Sequence, residues 1–260
     1  SHDRLMPEEI NRVLTDQIGD RLYTTERSAH ANLAREGIAD ERICFVGNVM
    51  IDSLLANREC AVPATRTLQL AGADPAVLDH PQGYAVVTLH RPSNVDHVDR
   101  LRPLLRALRE VSEKLPLVFA MHPRTRANVE RSGLSDLLAT QRIVLLPPQG
   151  YLEMLGLLSS ARLVLSDSGG LQEETTALGV PCLTIRENTE RPITVEQGTN
   201  TLVGCDPSAI RRGVDEILSG SGKIGRVPEF WDGRAAERIA ADLAVWLIAR
   251  HLQPAVNASS

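Results

Sequence analysis

The chain of 260 residues carries 28 Lys plus Arg against 33 Asp plus Glu, a net charge of −5, with 43% hydrophobic and 23% charged residues. This balance excludes a disordered chain, and the absence of basic runs interleaved with aromatics excludes a nucleic-acid-binding face. Four widely spaced cysteines with no Cys-x-x-Cys pair argue against a zinc site or a disulfide framework and fit a reducing cytoplasm.

The length allows one or two domains. Aromatics make up only 3%, so the core must be built from Leu, Val, Ile and Ala, as in buried parallel sheets and their covering helices. No segment reaches the 18 or so consecutive apolar residues of a membrane span, so no membrane partner is expected, and Ser1-His2-Asp3-Arg4 is not a signal peptide.

Met6-Pro7-Glu8-Glu9-Ile10-Asn11-Arg12-Val13-Leu14 predicts a helix with Pro in its first turn and carboxylates at its positive end. Arg21–Thr25 reads as a strand, Glu26–Glu36 as a helix closed by Gly37, and Ile43–Asn48 as another strand. Two strands are too few for a sheet of their own and need partners. Between 57 and 83 the pattern loosens around Pro63, Gly72, Pro75 and Pro81, which predicts a linker.

From Tyr84 a strand–helix rhythm sets in. The predicted strands are Tyr84–His90, Leu117–His122, Arg142–Leu146, Leu163–Ser166, Pro181–Ile185 and Thr201–Val203. In the first intervening helix Val98, Leu101, Leu104, Leu105, Leu108 and Val111 mark one apolar face, with Pro103 near the first turn or kinking it. Short apolar strands alternating with helices imply an α/β, doubly wound, Rossmann-like parallel sheet, in which ligands bind beyond the C-terminal ends of the strands. A last helix from about Gly233 to Arg250 has Ile239, Leu243, Trp246 and Leu247 on one side; it either finishes its own domain or packs across a domain junction.

The strand ends are polar. Asp167-Ser168-Gly169-Gly170 forms a strand–turn–helix unit ending at Gly179, and places the amides of Ser168, Gly169 and Gly170 where a phosphate or another anion is favoured; a ligand-free βα turn is equally open. His90-Arg91 sits at the mouth of the sheet, with His90 either structural or an acid/base group or phosphate ligand. Ser93-Asn94-Val95-Asp96 reads as the cap of the next helix. His122 has a weaker claim of the same kind. Gln149 reads an amide edge or a hydroxyl, or else caps the helix at Tyr151–Leu158. Glu173 and Glu174 either complement the helix dipole or supply a grip on ribose hydroxyls; Glu174 is favoured, although spacing does not choose. Arg191 pairs with a diphosphate or makes a surface ion pair. Gly-x-Ser-x-Gly and Walker patterns are missing.

Six motifs occur together in order: Met6-Pro7-Glu8-Glu9-Ile10-Asn11-Arg12, Val46-Gly47-Asn48-Val49-Met50-Ile51-Asp52, Thr88-Leu89-His90-Arg91, Pro148-Gln149-Gly150-Tyr151, Ser166-Asp167-Ser168-Gly169-Gly170-Leu171-Gln172-Glu173-Glu174 and Thr189-Glu190-Arg191-Pro192. The set strongly resembles the UDP-N-acetylglucosamine 2-epimerases, which interconvert UDP-GlcNAc and UDP-ManNAc. The resemblance implies a two-domain GT-B-type architecture with substrate in the cleft between domains. Residues 1–56 would be the remainder of the N-terminal Rossmann-like domain, 57–83 the linker, 84–232 the C-terminal UDP-binding domain and 233–260 the C-terminal helix.

It further implies that His90 contributes to catalysis or holds the diphosphate. Arg91 and Arg191 would face substrate, Ser168, Gly169 and Gly170 would cradle phosphates, Glu174 would bind ribose and Gln149 the uracil region. Met154 would stand where relatives carry an aromatic near the base, and His122 would belong to an activator site. The family mechanism eliminates UDP across C1 and C2 and re-adds it, with no cofactor and no metal; the full-length enzyme is expected to be a cytoplasmic homodimer. The family's catalytic carboxylates lie upstream of the Met-Pro-Glu-Glu motif. The resemblance therefore implies a truncated chain of low activity alone, with the apolar surfaces of Ile10–Ile51 uncovered. A hydrolysing relative that releases UDP and ManNAc, and a non-catalytic UDP-sugar-binding module, are the alternatives.

Overall fold

The computed structural model describes residues 7–252; Met6 of the first motif and residues 253–260 of the last segment lie outside them. In chain order the elements are α1 (Pro7–Ile18), β1 (Leu22–Thr24), α2 (Ser28–Arg35), β2 (Ile43–Phe45), α3 (Val49–Asn57), α4 (Ala64–Leu70), β3 (Ala85–Thr88), α5 (Pro92–Val95), α6 (Val98–Ser112), β4 (Leu117–Ala120), α7 (Pro123–Arg131), β5 (Ile143–Leu146), α8 (Tyr151–Ser159), β6 (Leu163–Ser166), α9 (Gly169–Leu178), β7 (Cys182–Thr184), α10 (Pro192–Glu196), β8 (Asn200–Leu202), α11 (Pro207–Leu218) and α12 (Ala235–Leu252). They fall into two units, 1–56 with 229–260, and 57–228.

In the smaller unit β1 and β2 pair in parallel, Leu22 opposite Ile43, over a small core of Leu22, Leu33, Ile38 and Ile43. Gly37 takes φ 83° after α2, the left-handed backbone that only glycine adopts without cost. Helix α12 returns to this unit. The Asp52 carboxylate accepts hydrogen bonds from the amides of Ala235 (3.1 Å) and Ala236 (2.7 Å) at its positive end, and Tyr23 Oη donates to Asp242 (2.8 Å). Of the apolar side proposed for α12, Leu247 is exposed, and Ile239, Leu243 and Trp246 are half-buried. Ile10, Leu14 and Ile18 form an exposed stripe along α1, whereas Ile51 and Leu54 of α3 are fully buried.

The larger unit is built on a parallel six-stranded sheet of order β5-β4-β3-β6-β7-β8. Successive strand residues point to opposite faces. Val87, Phe119 and Leu165 join one core with α6 and α11, while Val86, Val118 and Val164 join a second with α4 and α8. Both faces are therefore covered, which is why the central strands are mostly apolar, their polar residues, such as Thr88, Ser166 and Thr184, coming at the C-terminal ends. In order of appearance this is the 3-2-1-4-5-6 order of a Rossmann fold, with its switch point between β3 and β6.

Three local expectations differ from what forms. The 57–83 segment is packed rather than a loose linker: α4 places Ala64 and Leu68 in the second core, and the Val62 amide donates to Leu152 O (3.0 Å). Pro103 lies inside α6 beyond its first turn, and Val98 is 39% exposed rather than part of the buried face. The strands are shorter than predicted at most ends: β3 stops at Thr88 and β4 at Ala120, each one buried apolar residue, Leu89 or Met121, before His90 or His122. Among the described residues no helix is long and apolar enough to cross a membrane, and no His/Cys/Asp/Glu group is arranged to hold a metal; the four cysteines are free.

Candidate functional site

At the switch point Thr88 of β3 stands opposite Ser166 of β6, their hydroxyls 2.7 Å apart. The two strands diverge in connection just beyond this pair. One leads into His90-Arg91, the other into Asp167-Ser168-Gly169-Gly170, so the topology brings two polar strand ends to one crevice.

Asp167 is fully buried there. Its carboxylate accepts hydrogen bonds from the amides of His90 (3.1 Å) and Arg91 (2.9 Å) and from Asn94 Nδ2 (3.0 Å), and His90 Nδ1 lies 3.0 Å away. Burial by itself would raise the pKa of this carboxyl, but the bonds from His90, the Arg91 amide and Asn94 outweigh it and hold the group below the usual carboxylate range. Asn94 also donates to Ile185 O (3.0 Å), so it links the ends of β3, β6 and β7. Expected as a cap, Asn94 is instead a buried bridge; α6 starts at His97 with no side-chain cap.

Helix α9 begins at Ser168, whose own amide donates to Ser166 Oγ (3.0 Å). A Cβ on Gly170 would meet nothing within 4 Å, and one on Gly169 would meet only Glu190 Oε2 at 4.0 Å. Internal packing therefore does not require either glycine, and the turn's outer face is open to close approach. The helix closes at Gly179 with φ 73°, the left-handed cap expected from the sequence.

Around this turn the charges are paired. Arg186, only 7% exposed, donates through both terminal nitrogens to Glu190 (2.8 Å each), and these bonds bring the Glu190 carboxyl down to about 2. Arg91 Nε donates to Asp167 O (3.1 Å), and its NH2 group is 3.5 Å from Glu190. Arg191 Nε stands 3.0 Å from Glu173 Oε1, a charge contact without hydrogen-bond alignment. Glu174 is different: burial, and then the charge of Glu173, push it up to about 7, and among the described residues no ion pair reaches it. The structure thus separates two adjacent carboxylates that spacing could not.

The remaining candidates are more dispersed. Gln149 follows the edge strand β5 and donates to Pro147 O (2.7 Å); it does not cap α8, which starts at Gly150 without a side-chain cap. Met154 is half-buried against the second core. His122 is exposed at the start of α7, where its Nδ1 accepts from the Arg124 amide (3.2 Å), and its ring centroid is 5.8 Å from that of His90. Asp167, Asn94 and Arg186 were not among the sequence candidates. An acidic residue directly after the buried strand β6 was the available signal for the first; nothing local marks the other two.

The family model described as UDP-N-acetylglucosamine 2-epimerase matches residues 1–244. A UDP-N-acetylglucosamine 2-epimerase of Methanocaldococcus jannaschii is 41% identical over 242 residues, 92% of this chain and 64% of that protein. A UDP-2,3-diacetamido-2,3-dideoxy-D-glucuronate 2-epimerase of Pseudomonas aeruginosa is 39% identical over 251 residues, 94% of this chain and 65% of that protein. The crystal structure of the M. jannaschii UDP-GlcNAc 2-epimerase in complex with UDP-GlcNAc and UDP superposes with a TM-score of 0.80 at 40% identity, covering 94% of this chain and 66% of that one. The chain spans less than two thirds of the length of these curated relatives.

Proposed function

Because the chain belongs to the UDP-N-acetylglucosamine 2-epimerase family, we propose that the switch-point crevice of its larger unit binds the UDP part of a UDP-N-acetylated sugar, and that the protein serves the interconversion of UDP-GlcNAc and UDP-ManNAc. One observation carries this reading: the open glycine N-terminus of α9 lies beside His90 and Arg91 at the crevice where doubly wound sheets bind nucleotides. In it Ser168, Gly169 and Gly170 cradle the diphosphate, with the amides of Gly169 and Gly170 as donors because that of Ser168 is held by Ser166 Oγ; Arg91 and Arg191 supply charge, and Glu174 grips the ribose. Gln149 and Met154 are assigned to the base, and His122 to a neighbouring activator position. A nucleotide-sugar enzyme of the cytoplasm is the setting it implies.

The chemistry is elimination followed by re-addition. A base takes the C2 proton, the C1–O bond breaks with its electrons going to the diphosphate, and a C1=C2 double bond forms. Donors and positive charge preorganised around the leaving diphosphate lower that barrier. None of the crevice residues is assigned the part of the C2 base.

The P. aeruginosa relative, at an identity close to that of the M. jannaschii one, favours a second reading of the sugar, a 2,3-diacetamido uronate in place of GlcNAc. Incubation of the purified protein with each UDP-sugar, followed by proton NMR beside a calorimetric titration with UDP, tests both. UDP-ManNAc from UDP-GlcNAc is the expected product. Free ManNAc plus UDP would assign the hydrolysing reaction, turnover of the uronate alone the second sugar, and UDP binding without turnover a binding module. Folded protein that does not bind UDP overturns the nucleotide site.

A further inference from the structure

A buried carboxylate is costly unless its lone pairs are satisfied. For Asp167 the amides of His90 and Arg91 and the side chain of Asn94 supply three donors, and the fourth contact is His90 Nδ1 at 3.0 Å. An ionised carboxylate only accepts, so the hydrogen of that contact sits on Nδ1. The His90 side chain is 41% exposed while its Nδ1 edge rests on a fully buried group, so the opposite edge, with Nε2, is the one at the mouth of the crevice. Asn94 spans Asp167 and Ile185 O, which stops the carboxylate from turning away.

We propose that Asp167 is a positioning residue that locks His90 with Nδ1–H inward, so that Nε2 is the nitrogen presented to the diphosphate. This rests on the reading of the crevice given above. When the ring is protonated, Nε2–H donates to the diphosphate oxygen that receives the electrons of the breaking C1–O bond, while the Asp167 charge balances the imidazolium. Without the carboxylate, either ring nitrogen can carry the hydrogen and the ring can flip, and Nε2 is no longer the nitrogen offered.

The ring state is read by nitrogen-15 NMR of the whole chain, with the His90 signals assigned by their loss in His90→Asn. Nδ1 is expected to be protonated in the neutral ring; a neutral ring protonated on Nε2 overturns the proposal. The second arm is a double-mutant cycle on UDP affinity. Asp167→Asn is expected to weaken UDP about tenfold, the size of losing one hydrogen bond to a charged group, and to change nothing further in the His90→Asn background. An equal loss in both backgrounds means that Asp167 only ties strand ends together, and overturns it. If the wild-type chain fails to bind UDP, the crevice reading falls, while the NMR arm, which needs no Asp167 variant, still decides the ring state.

Discussion

A carboxyl that titrates near neutrality makes ligand binding depend on pH in a direction that can be worked out for Glu174. Its value in the folded chain, about 7, lies above the ordinary 4.5 because burial and the neighbouring Glu173 both oppose its charge. A raised folded value means that its contribution to stability is full below the unfolded value and is lost as the pH rises through about 7. Ribose hydroxyls donate to the ionised form, so UDP binding should draw the proton off and be tighter above pH 7. Between pH 8 and pH 6 the ionised fraction falls about tenfold. Titration calorimetry should show UDP affinity declining by up to that factor in the wild type and by clearly less in Glu174→Gln. The difference between the two proteins isolates Glu174 from other groups that titrate in the same range. Parallel pH profiles would mean that Glu174 does not touch the nucleotide.

At the scale of elements, what the sequence revealed follows from how local the signal was. The strands of the larger unit were legible because most are short, largely apolar runs bounded by polar strand ends, the edge strand β8, Asn-Thr-Leu, being the exception. The close of α9 at Gly179 was legible because a single residue type carries it. The 57–83 segment was misread because its fold depends on distant partners: α4 is anchored by Leu68, and Val62 reaches the backbone of α8. Gly156 of α8 records that contact, since a Cβ there would lie 1.7 Å from Val62 O. Gly156→Ala should therefore cost about 3 kcal/mol, read as a lower denaturant midpoint, because backbone on both sides must move. Gly170→Ala is the matching contrast. Its Cβ meets nothing within 4 Å, so stability should change little while UDP affinity falls, the methyl group standing where the diphosphate approaches. Equal destabilisation by both would mean that neither glycine is explained by its surroundings.

At the scale of the whole molecule, the chain is divided in a way that no local pattern announces. The segment from Glu229 onward groups with residues 1–56, and the Asp52 bonds that start α12 join positions 183 and 184 apart in sequence. The edge expected at 233 was only the start of the last helix. Residues 57–228, by contrast, contain the complete six-stranded sheet, both of its core clusters and all of the candidate site residues. A domain with its own core folds without its neighbours. The 57–228 segment produced alone should unfold cooperatively in denaturant and bind UDP within about threefold of the whole chain, a difference below 1 kcal/mol. A much larger loss in a fragment that still unfolds cooperatively would show that groups outside 57–228 complete the UDP site. A fragment that does not fold would show that its sheet depends on the smaller unit for stability, despite burying its own apolar strands on both faces.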